Sequence, residues 1–118
     1  MDSYKASKAW HFGHSLALDV HEVAKQLPQA DKFHLAEALR EVSVIAPAKI
    51  AESIERKLRQ EKLECYTVAR DAVNQLQVHL SLARDLRYIE QNVYEELSQK
   101  AIVAYQLLSS LIRSTSKV

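Results

Sequence analysis

Turn-forming residues are almost missing from this chain: glycine occurs once, at Gly13, and proline twice, at Pro28 and Pro47. A many-stranded architecture needs such residues between its strands, whereas Ala, Leu, Glu, Lys, Arg and Gln, which dominate here, favour long helices. Cysteine is present once, as Cys65, which excludes an intramolecular disulfide and a Cys-x-x-Cys metal or redox motif and fits a reducing compartment. Cys65 reads as a small core residue. No apolar run approaches the roughly 20 residues that span a bilayer, and the stretch MDSYKASKAWHFGHS holds no hydrophobic signal segment. The expectation is a soluble, cytoplasmic protein without a membrane partner. An excess of one charge is missing too: 16 Lys and Arg against 15 Asp and Glu give a formal +1, so any attraction to nucleic acid must come from a local patch. With 118 residues the chain can build one core but not two ordinary domains, and residues 1–118 are read as a single domain.

What the sequence does have is helical periodicity. Tyr66, Ala69, Val73, Leu76, Leu80 and Ala83 recur at steps of three and four. A second stripe of Cys65, Val68, Ala72, Leu82 and Leu86 widens that face for two neighbours, and together they predict a helix over about 59–86. Trp10, Gly13, Ala17, Val20, Ala24 and Leu27 predict another over about 5–26, closed by Pro28, with Asp31 as N-cap of the next helix. Leu97, Ala101, Ala104, Leu108 and Leu111 predict a last helix over about 91–113. Asn92 with Glu95 forms a capping signature there, a start two residues sooner fits equally, and the tail STSKV should fray.

The remaining segment contains VSVIAPAKIAESIERK. Leu35, Ala38, Leu39, Val42, Ile45, Ala46, Ile50 and Ile54 keep helical spacing on both sides of Pro47, which predicts one continuous helix over about 32–57, kinked at the proline. The ring removes the N–H that would reach the Ser43 carbonyl, at about 3 kcal/mol in an isolated helix. Four such helices with short links predict an all-α, antiparallel up-down-up-down four-helix bundle with a Pro-kinked second helix. No internal repeat supports a solenoid instead.

The segment Ile45-Ala46-Pro47-Ala48-Lys49-Ile50-Ala51-Glu52-Ser53 resembles the signature of the 23S rRNA intervening-sequence proteins, with Pro47, Ala48, Ile50, Ala51 and Glu52 matching in place. Trp10, Leu35, Leu39-Arg40, Ala69-Arg70, Leu76 and the run from Leu80 to Ile89 extend the resemblance over about residues 8–113. Lys49 stands where the family has asparagine, Ser53 and Arg87 where it has glycine, Asp71 and Ala72 where it has glycine-serine, and Glu41 where it has arginine. The resemblance implies a four-helix bundle with a kinked second helix, no known enzymatic activity, and a tendency to assemble into homo-oligomeric rings, pentamers in family members. A related set, the accessory proteins of diversity-generating retroelements, forms basic pentameric barrels that bind nucleic acid and a reverse transcriptase.

Candidate chemistry is sparse. His11, His14 and His21 share one helix, but two or more ligands from other helices would be needed for a metal, and no Glu-x-x-His pair is present. No glycine-rich loop or nucleophile elbow offers an oxyanion hole. Catalytic residues, a metal site and cofactors are therefore not expected. The strongest charge feature lies between the second and third helices, where Arg56, Lys57, Arg59 and Lys62, with Lys49 nearby, form a candidate contact for nucleic acid or a protein partner. Glu52 and Glu55 precede Arg56 and Arg59 by four residues, the order that stabilises a helix, so a self-paired bundle end is the competing reading. Ala46, Ala48, Ala51 and Ser53 would let another helix approach closely, and Trp10, Tyr88, Tyr94 and Tyr105 offer flat anchors for association.

Overall fold

The computed structural model describes residues 4–28, 30 and 34–117, and among them every regular element is helical. A single 3₁₀ turn, Tyr4–Ala6, precedes α1 (Lys8–Ala24); α2 (Leu35–Ser43) and α3 (Ile45–Glu55) follow, then the long α4 (Arg59–Asp85) and α5 (Gln91–Ser116). Helix α1 packs on α2, α3 and α5, while α4 packs on α2, α3 and α5. With α2 and α3 forming one column, this is a four-column bundle in up-down-up-down order, 49 Å long and about 20 Å across. The apolar spacings read from the sequence form its interior: Val20, Leu39, Ile50, Ala69, Leu76, Leu80, Ala101 and Leu108 are all essentially inaccessible. On the α1–α5 seam, Lys100 pairs with Asp19 and donates to Ser15 Oγ at 2.9 Å.

The second column differs from the expected single helix kinked at Pro47. The break comes three residues earlier, at Val44, which separates α2 from α3 yet keeps right-handed dihedrals (φ −88°, ψ −11°), so α3 runs on against the same neighbours. Pro47 then falls in the first turn of α3. Backbone N–H groups there have no intrahelical acceptor, so the missing donor removes no bond, and the ladder starts cleanly with Ala48 N–H donating to the Val44 carbonyl at 3.2 Å. The Asp31 cap and the helix start at 32 lie outside the described residues.

Other boundaries shift for local reasons. Ser7 Oγ accepts the Trp10 N–H at 3.2 Å and starts α1 afresh after the 3₁₀ turn. Helix α5 has Glu90 rather than Asn92 at its N-cap, the earlier of the two starts the sequence allowed. Its end does not stop near 113: Ser114 and Ser116 hydroxyls donate back to the Leu111 and Ile112 carbonyls, and the helix runs to Ser116. Val68 and Leu82, expected to widen the core face of α4, are instead 43% and 42% exposed.

Candidate functional site

Helix α3 presents its signature residues in three directions. Ile50 is buried in the core, Pro47 lies against Gly13 of α1, and Glu52 points to the seam with α4. Ala48 is exposed and Ala51 half-buried, whereas Ala46 and Ser53 are enclosed. The close helix approach seen here is that of α1 at Gly13 on Pro47.

Glu52 is the hub of a polar pocket of about 320 Å³. Lys49 Nζ, three residues earlier, lies 3.4 Å from both carboxylate oxygens, and Arg56 Nη2, four residues later, lies 3.1 Å from Oε2. From α4 the Cys65 thiol donates to Oε2 at 3.3 Å. These donors, Arg56 foremost, followed by Cys65 and Lys49, hold the Glu52 carboxyl below its ordinary range. Burial, and then Glu52 as acceptor, push the Cys65 thiol up. Cys65 is therefore more than the small core residue read from the sequence. It stays protonated at neutral pH, a poor nucleophile, and Glu52 already accepts from three side chains.

The other basic candidates do not converge on one point. Lys62 Nζ donates to the Ser53 carbonyl at 2.8 Å, capping the last turn of α3. Arg59 Nη1 donates to the Lys117 carbonyl at 3.2 Å, and Lys57 is exposed on the α3–α4 connection. Of the histidines, His14 stacks on Trp10 with ring centroids 4.6 Å apart, and His21 Nδ1 lies 2.9 Å from the Ala17 carbonyl. Among the described residues no three His, Cys, Asp or Glu side chains gather as a metal would require. Nor is any described helix long and apolar enough to cross a membrane.

Two features escaped the sequence. A groove of about 320 Å³ runs outside α4 and α5, where the buried Oε1 of Gln77 lacks a hydrogen-bond partner among the described residues. A larger, mainly apolar cavity of about 590 Å³ opens at the end of the bundle where α1 starts and α5 finishes. Both depend on how columns meet, which periodicity along one helix does not encode.

Fold and site together define a four-helix bundle protein with a broken second column and a polar hub on its third helix. The chain belongs to the family of 23S rRNA-intervening sequence proteins, whose profile matches residues 5–110. Its fold is similar to that in the crystal structure of a protein of unknown function from the S23 ribosomal protein family of Bacteroides thetaiotaomicron VPI-5482. The TM-score is 0.83 at 19% identity, over 89% of this chain and 98% of that one. No curated protein matches the sequence.

Proposed function

We propose that this chain is a non-enzymatic, cytoplasmic scaffold that assembles with copies of itself into a ring, a pentamer on the family resemblance, through the outer face of α4 and α5. The observation that carries this reading is an unpartnered apolar surface. Val78 and Leu82 on α4 are 66% and 42% exposed, and Ile102 and Tyr105 on α5 are 39% and 36% exposed. Ile102 and Tyr105 also line the groove in which Gln77 Oε1 has no hydrogen-bond partner among the described residues. A second copy would cover these side chains and could satisfy the amide. Light scattering or sedimentation at micromolar concentration tests it: a multimer is expected for the natural chain and a monomer for Val78→Glu with Ile102→Glu. A monomeric natural chain would overturn the proposal.

A second reading makes the protein a nucleic-acid-binding accessory, working with RNA, DNA or an enzyme such as a reverse transcriptase. It is supported by the Arg59 contact with Lys117, which brings the end of the chain to the corner that carries Lys57. It ranks second because Lys49, Arg56 and Lys62 already hold internal acceptors. Retention on generic RNA that falls steeply with salt and is lost in Lys57→Glu with Arg59→Glu would promote it.

A further inference from the structure

The cavity at the end of the bundle serves neither reading, and its size, about 590 Å³, is that of pockets that enclose small organic ligands. Ile50 of α3 and Tyr66 of α4 form its buried floor, Leu107 and Leu111 of α5 one wall, and Lys8 of α1 its rim.

Two independent features fix the chemistry of an occupant. The first is at the rim, where α1 begins with Lys8 and has no acidic residue in its first turn. Helix N-termini carry partial positive charge and favour anions, so the cation here adds to that potential instead of cancelling it. The N–H groups of Lys8 and Ala9 also lie ahead of the helical ladder, since Ser7 takes up the N–H of Trp10 through Oγ and that of His11 through its carbonyl. The second feature is at the floor. Tyr66 is only 8% exposed, lines this cavity, and makes no hydrogen bond through its hydroxyl to another described residue, while the oxygen itself keeps accessible surface. The phenol is thus free to pair with a ligand.

We propose that this cavity binds a medium-chain carboxylic acid with an oxygen function at its far end. The carboxylate lies at Lys8 and the first turn of α1, the chain lies along Ile50, Leu107 and Leu111, and the distal oxygen meets the Tyr66 hydroxyl.

Isothermal titration of the full-length protein with 10-hydroxydecanoate, decanoate and 1,10-decanediol tests this. Expected is saturable binding of 10-hydroxydecanoate at one site, tighter than either analogue. Lys8→Glu should weaken it about tenfold while leaving the diol unaffected, because only the carboxylate meets that charge. Tyr66→Phe should abolish the preference over decanoate, and Ser110→Trp, a bulky change at an exposed lining position, should block all three ligands. Absence of saturable binding, equal affinity for the diol, or insensitivity to both Lys8→Glu and Ser110→Trp would overturn the proposal.

Discussion

Gly13 of α1 faces Pro47 of α3 so closely that a β-carbon on the glycine would stand 3.5 Å from Cδ of the proline ring and 3.6 Å from its nitrogen. That is ordinary contact for a methyl group and leaves no space for more. Gly13→Ala should therefore gain helix propensity, about 1 kcal/mol, without a clash. Gly13→Leu should force α1 from α3 and lose about 1–3 kcal/mol. Urea midpoints of the two variants should move in opposite directions, and a destabilised alanine variant would show that the contact is tighter than described.

The proline side of this contact yields a separate test. If Pro47 lay in the interior of one continuous helix, replacing it by alanine would relieve about 3 kcal/mol of lost bond and steric crowding. With the break at Val44 there is no such bond to regain. Pro47→Ala should instead lose about 1–2 kcal/mol, from the vacated ring volume and the greater freedom of the unfolded chain. A stabilised variant would restore the kinked-helix description.

The end of α4 carries a cost that one substitution should remove. Arg87 has φ 64°, in the left-handed region, and the turn it makes is a Schellman closure: Tyr88 N–H donates to the Ala83 carbonyl at 2.9 Å and Arg87 N–H to that of Arg84 at 2.9 Å. Glycine takes this conformation without the β-carbon penalty. Arg87→Gly should raise stability by about 1 kcal/mol and Arg87→Val should lower it by a similar amount, both readable as shifts in thermal midpoint.

These contacts show what the sequence could and could not disclose. The six-residue seam from Tyr66 to Ala83 is buried throughout as its spacing demanded, because a helix interior depends only on which residues recur every three or four positions. Periodicity is blind to a one-residue break such as Val44, since dihedrals that stay right-handed leave the apolar phase unchanged. The i,i+4 pair of Glu52 with Arg56 was legible in the charge pattern. The thiol of Cys65 was not, being thirteen residues away and brought in by the packing of α4 on α3. The end cavity was invisible for the same reason: its walls come from α1, α3, α4 and α5.

The Glu52 hub predicts a particular acid limb. Its carboxyl ionises below the ordinary value of 4.5 in the folded chain because Arg56, Cys65 and Lys49 donate to the charged form. The unfolded chain, lacking those donors, takes up a proton first as pH falls. The stabilisation is therefore complete above 4.5, declines below it, and is gone once pH passes the folded-state pKa. Glu52→Gln should flatten this part of the stability curve and leave a smaller difference from the natural chain at pH 3 than at pH 7. The same substitution removes the acceptor that helps to hold the Cys65 proton, so the thiol, though still buried, should react faster with iodoacetamide at pH 8. Parallel acid titration and alkylation of the two proteins check both effects. Unchanged alkylation together with an unchanged acid limb would mean that the Cys65 to Glu52 bond at 3.3 Å does not persist in solution.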